Sequence, residues 1–139
     1  MTAQWTVVVG AIAALAVAAA LGVVATRRNG VLRPAAAVRA VDTGDLGLSD
    51  TGPTVVHFTA AWCGPCAGVR RVIEAVTTEL GGVAHIEIDI DADPDAARRF
   101  SVLSLPTTLV FDADGRQRYR ANGSLKAADL RAALAPLLA

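Results

Sequence analysis

Cysteine is scarce in this chain: two of its 139 residues, Cys63 and Cys66. Two cysteines cannot build a disulfide framework, so any core must stand on burial alone. Net charge is missing too, with 13 basic residues balanced by 13 acidic ones, and a chain so balanced is no candidate for binding nucleic acid. Lysine is reduced to Lys126, every other basic residue being arginine, which reflects composition rather than chemistry. The length allows one domain and little more.

Charge is also absent from Thr6 to Thr26, a run rich in Val, Ile, Leu and Ala. A helix of that length spans about 30 Å and crosses a bilayer. A cleaved signal peptide is the competing reading, with small residues from Ala18 to Ala25 as cleavage sites. No basic residue precedes the run, however, and Arg27, Arg28, Arg33 and Arg39 follow it. That bias favours an uncleaved anchor over residues 1–26, in contact with the membrane through residues 6–26, with its N-terminus outside and the rest in the cytoplasm. Residues 27–52 form a linker, basic at first and then broken by Gly and Pro. The neutral total thus hides a basic stretch at the membrane, Arg27 to Arg39, and an acidic remainder, Ala40 to Ala139, with 9 basic and 13 acidic residues; the domain itself is residues 53–139.

What the chain does have is Trp62-Cys63-Gly64-Pro65-Cys66. Before it, Thr54 to Thr59 is a β-branched and aromatic run after Gly52-Pro53, a buried strand. After it, Val69, Val72, Ile73, Val76 and Leu80 recur at helical spacing, predicting a helix from about Cys63 to Leu80 that stops at Gly81-Gly82. Cys63 would cap that helix, where the dipole lowers its pKa from about 8.5 toward about 7. Cys66, one turn further in, stays protonated and shielded. Cys63 is then the nucleophile toward a disulfide, and Cys66 the resolving thiol.

Val83 to Ile90 alternates and reads as a strand with one buried face. Pro94 to Phe100 gives a short helix capped by Asp93. Thr107 to Phe111 and Gln117 to Ala121 form a hairpin around Asp112-Ala113-Asp114-Gly115. A last helix from about Ser124 buries Leu130, Leu134, Leu137 and Leu138, with Leu125 at its start. Between Gly30 and Pro53 only a short edge strand is available, at Val31-Leu32 or Val38 to Val41. The expected class is α/β, a central mixed sheet with helices on both faces.

From Val55 to Ala139 the chain resembles the thioredoxin family. The resemblance rests on Trp62-Cys63-Gly64-Pro65-Cys66, the strand Ile88-Asp89-Ile90-Asp91, Leu105-Pro106-Thr107, and Asn122-Gly123 before the last helix. It implies a thioredoxin-like three-layer sandwich; the few residues available before Pro53 leave its N-terminal side shortened, and the apolar run puts one transmembrane helix ahead of it. It also implies that Pro106 is cis, presenting the Leu105 backbone to an extended substrate strand. Trp62, Pro65, Leu105, Pro106 and Gly123 would make a shallow contact surface for substrate.

Two departures stand out. The family's buried Asp before the cysteines is His57 here, and its Lys on the next strand is Glu87. Either the two form a partly buried pair beneath Cys66, with neutral His57 accepting its proton and Glu87 as partner, or His57 packs in the core while Glu87 faces solvent. Asp89-x-Asp91-x-Asp93 fails as a calcium loop, since Pro94 and Phe100 stand where Gly and Glu are needed. A zinc site from Cys63, Cys66 and His57 lacks a fourth ligand, so no metal is expected. Arg70-Arg71 and Arg98-Arg99 read as solvated helix faces, and His85 as a solvent-facing strand residue.

The expected function is thiol–disulfide oxidoreduction, reducing protein disulfides through the Cys63/Cys66 dithiol. Gly64-Pro65 resembles the reducing members of the family. No bound cofactor is expected. Partners would be disulfide-containing proteins and a reductant: a thioredoxin reductase if the domain is cytoplasmic, a membrane electron shuttle if it faces outward. An outward domain would serve exported proteins or cytochrome maturation. The alternative of another class is a membrane-tethered binding module without redox turnover.

Overall fold

A computed structural model describes residues 2–28, 30–35 and 42–139, with side chains for 5–25, 30–35 and 42–139. The apolar run forms one helix, α1, Thr2–Arg28. Its 27 residues reach about 40 Å at 1.5 Å per residue. Trp5, Val7, Leu15 and Leu21 are all exposed along it, and no protein surface covers the span Trp5–Ala25. A membrane anchor and a signal sequence both have this form.

The remaining elements are β1 (Arg33–Pro34), β2 (Thr54–Thr59), α2 (Cys66–Leu80), β3 (Ala84–Asp89), α3 (Pro94–Arg99), β4 (Thr107–Phe111), β5 (Gln117–Asn122) and α4 (Ala127–Leu134), closed by a 3₁₀ turn, Ala135–Leu137. The strands make one mixed sheet in the order β1-β5-β4-β2-β3. Only β2 and β3 run parallel; the other neighbours are antiparallel. Flanked by β3 and β4 and covered on both faces, β2 is buried at all six positions.

Alternation along these strands sorts the core into two layers. On one face Val55, Val110 and Ala121 pack against Val69, Ile73 and Val76 of α2 and Leu130 and Leu134 of α4. On the other, Val56, Phe58, Leu109 and Phe111 pack against Ala96 and Phe100, with Leu46 and Leu48 of the preceding segment added. The three-layer α/β sandwich is therefore present. Among the described residues no helix lies between α1 and α2, in keeping with the shortened N-terminal side.

Several local expectations change. The edge strand sits at Arg33–Pro34, two residues past Val31-Leu32, because Gly30 and Ala35 donate backbone hydrogen bonds to Asn122 and Arg118 of β5 and fix the register between them; Val38 to Val41 lies outside the described residues. Helix α2 begins at Cys66, with Pro65 as its N-cap, so Cys63 precedes the helix instead of capping it. The Cys66 and Cys63 backbones are joined by a turn bond, Cys66 N–H to Cys63 carbonyl, 3.3 Å. Leu138 is exposed because Pro136 cannot donate the next helical bond and the chain tightens into a 3₁₀ turn, ending the four-residue periodicity. Asp93 caps α3 as expected, its Oδ1 accepting from the Ala96 amide at 2.9 Å.

Candidate active site

The strand β2 carries the chain to the sheet's C-terminal edge, and a tight turn then delivers both cysteines before α2 turns back over the sheet. Cys63 and Cys66 are joined by a disulfide, their Cα atoms 5.5 Å apart. Their surroundings differ. Cys66, the first residue of α2, is 1% exposed, while Cys63 in the turn is only half-buried. The two cysteines therefore present one partly accessible and one shielded residue, as a nucleophile and a resolving thiol require.

The residues expected to form the substrate contact surface are held by specific bonds. Trp62 is two-thirds exposed, yet its indole N–H donates to Asp91 Oδ2 at 3.0 Å. The Leu105–Pro106 peptide is cis. Thr107 Oγ1 donates to the Ser104 carbonyl at 2.7 Å and also lies 3.0 Å from Asn122 Oδ1. The Gly123 amide donates to the Pro106 carbonyl at 2.8 Å, which brings Gly123 beside Pro106. Arg120 reaches from β5 to the carbonyls of Phe100 and Ser101, both at 2.8 Å, and so ties down the loop that leads into Leu105. Burial holds the Arg120 guanidinium below its ordinary pKa.

Beneath α2 the polar pair forms. His57 is fully buried, and its Nδ1 lies 3.3 Å from Glu87 Oε2. Register explains the approach, since His57 and Glu87 are direct partners across the parallel β2–β3 pair. Glu87 is not free in solvent: Arg70 of α2 grips both its oxygens, Nε at 2.6 Å and Nη2 at 2.7 Å. That correction applies to Arg70 as well, which is no solvated helix-face residue. The hydrogen bond from Arg70 holds the Glu87 carboxyl below its usual range. Burial lowers the His57 pKa against the pull of Glu87, keeping the imidazole neutral. His85 also departs from expectation. Its ring lies 6.3 Å from His57, its Nε2 is buried, and burial depresses its pKa, because helix α2 covers the face of β3 that the alternation assigned to water.

Asp91, Arg120 and Arg70 were the contributors that sequence patterns missed. Each acts through a long-range contact between residues 17 to 29 positions apart in the chain. No local periodicity encodes such pairs.

The family model described as thioredoxin matches residues 45–136. The chain belongs to the thioredoxin family. The thioredoxin of Mycolicibacterium smegmatis is 44% identical over 88 residues, covering 60% of this chain and 78% of that protein. A thioredoxin of Mycobacterium tuberculosis H37Rv is 42% identical over 86 residues, covering 60% and 73%. Among solved structures, the crystal structure of thioredoxin from Trypanosoma brucei brucei is similar with a TM-score of 0.57 and 30% identity, covering 66% of this chain and 79% of that one. Family and cysteine pair together make this thioredoxin-family chain a thiol–disulfide oxidoreductase acting on disulfide-containing protein substrates. Helix α1 lies outside the residues that the family model matches.

Proposed function

We propose that the protein is a membrane-anchored protein-disulfide reductase whose domain faces the cytoplasm. In the reduced state the Cys63 thiolate attacks a substrate disulfide. One substrate sulfur leaves as a thiolate, and a mixed disulfide joins Cys63 to the other. The Cys66 thiol, deprotonated, then attacks Cys63 Sγ, closing the intramolecular disulfide and releasing the second substrate thiol. Two electrons pass from the dithiol to the substrate, and a thioredoxin reductase returns them.

The observation that carries this reading is the unequal burial of the two cysteines, Cys66 1% exposed and Cys63 half-buried in the turn at the head of α2. The positive end of α2 favours a thiolate in the adjoining turn. Trp62, Pro65, Leu105 and Gly123 supply the contact surface over the buried Pro106, with the Leu105 backbone pairing with an extended substrate segment. Insulin reduction driven by dithiothreitol tests turnover. The wild-type rate should far exceed that of Cys63→Ser, and equal rates would leave a binding module in place of the enzyme.

The orientation rests on Arg27, Arg28, Arg33 and Arg39 following the apolar run with no basic residue before it. A membrane-impermeant maleimide applied to mildly reduced cells should label Cys63 only after lysis. Labelling of intact cells would move the domain outside and make a membrane electron shuttle its reductant. A protein found without residues 1–26 would replace the anchor by a signal peptide.

A further inference from the structure

The His57–Glu87 pair has a third member. Register places Val55 beside His85 and His57 beside Glu87, so His57, His85 and Glu87 project from two neighbouring strands to one face of the sheet. One ligating atom from each, two imidazole nitrogens and a carboxylate oxygen, lie within 4.8 Å of one another. His57 is 0% exposed; its Nδ1 faces Glu87 Oε2 at 3.3 Å, while its Nε2 and the buried Nε2 of His85 have no hydrogen-bond partner. Buried polar atoms left in this way cost free energy, and nearly all such atoms in folded proteins have a partner. A divalent cation satisfies three converging donors at once.

We propose that His57, His85 and Glu87 form a binding site for a first-row divalent metal ion, with zinc the ion that two imidazoles and a carboxylate suit best. Zinc bonds of about 2.0–2.2 Å to nitrogen and oxygen set tetrahedral ligand atoms about 3.4 Å apart. His57 Nδ1 and Glu87 Oε2 already stand at 3.3 Å. His85, on the sheet's edge strand, has its ligating nitrogen within 4.8 Å of the other two ligand atoms. Glu87 is 32% exposed and opens the site to solvent, which provides an entry route and a fourth position for water. Arg70 grips both oxygens of Glu87 and orients the carboxylate from outside, as partners of metal-binding carboxylates do. Its positive charge works against a cation, so binding is weaker than at a closed structural zinc site.

The cysteines take no part in this site, which separates it from metal capture by the reduced dithiol. A bound ion would also occupy a ring nitrogen of His57, so ligation and proton acceptance by that ring exclude one another.

The test is titration of untagged full-length protein in detergent, with the Cys63–Cys66 disulfide closed so that neither sulfur can ligate. Zinc is followed by calorimetry and cobalt(II) by visible absorption. One equivalent should bind, with the ligand-field bands of nitrogen- and oxygen-bound cobalt and without thiolate charge transfer. His85→Gln and Glu87→Gln should each weaken binding by at least about tenfold while far-ultraviolet circular dichroism is unchanged. His57 is buried in the sheet, so the edge-strand variant His85→Gln decides the matter. No binding by the wild type, or equal affinity in His85→Gln, overturns the site.

Discussion

Trp62 and Asp91 are joined across 29 positions of sequence by a 3.0 Å hydrogen bond from indole Nε1 to carboxylate Oδ2. The bond spans from the residue before the nucleophile to the turn after β3. An exposed indole is otherwise free to rotate, so Asp91 fixes the ring that borders the disulfide. Asp91→Ala should lower insulin reduction by about two- to fivefold through a raised KM, with little change in stability because the bond is exposed. Trp62 fluorescence, read in a Trp5→Phe background, should report the freed ring. An unchanged KM would remove Trp62 orientation from substrate contact.

A second long-range tie has the larger energetic weight. Arg120 donates to two backbone carbonyls, those of Phe100 and Ser101, and Ser101 sits at φ 51°, a backbone state that L-residues disfavour. Arg120→Ala removes two charged hydrogen bonds and should cost about 2–3 kcal/mol in urea denaturation. Arg120→Lys should recover only part of it, since one ammonium cannot reproduce the fork. Amide exchange over residues 101–105 should accelerate in both.

The elements most legible in the sequence were those with local signatures. Cys-Gly-Pro-Cys, Asp93-Pro94 at the start of α3, and the Asp112–Gly115 turn each appear where local chemistry requires them. The face of His85 was not legible, because alternation shows which residues share a face and not whether a helix covers it. Helix α2 covers that face, so both faces of β3 are partly buried. The start of α2 was misplaced for a related reason: helical periodicity begins with buried residues, whereas the turn at Cys63 is set by Gly64 and Pro65. Of the two readings left open for His57 and Glu87, it is the pairing that occurs, since the two are register partners across β2 and β3. Arg70's grip on Glu87 depends on how α2 lies across the sheet, which no single segment encodes.

Asp112 gives the fold an acid-sensitive joint in the β4–β5 turn. Burial pushes its carboxyl pKa up, but bonds from the Arg116 and Asp114 amides and from Arg118 outweigh that and bring it below 3.8. A carboxyl whose folded pKa lies below its unfolded value binds fewer protons when folded. Its stabilisation is therefore complete above the unfolded value and is lost as pH falls through the folded one. Thermal unfolding of the wild type should show Tm falling below about pH 4. Asp112→Asn should have a lower Tm at pH 7 and a shallower acid limb, whereas parallel curves would assign the acid loss to other carboxylates.

The segment between α1 and the sheet is docked through one glycine. Gly30 has φ +81°, and a Cβ there would stand 1.5 Å from the Ser124 carbonyl oxygen. Its amide donates to the Asn122 carbonyl at 2.7 Å, opening the short β1–β5 ladder that continues through Ala35 to Arg118. Gly30→Ala meets both the left-handed backbone and the backbone clash, and the first alone costs about 1–3 kcal/mol. That exceeds what a two-residue strand can hold, so residues 30–35 should detach from β5 while the core stays folded. The Ala35 amide should then lose its protection from hydrogen exchange, with insulin reduction near the wild-type rate because the dithiol lies on other elements. Retained protection at Ala35 would mean that the strand holds without its first bond, and a loss of turnover would mean that β1 supports the active-site side of the sheet as well as its edge.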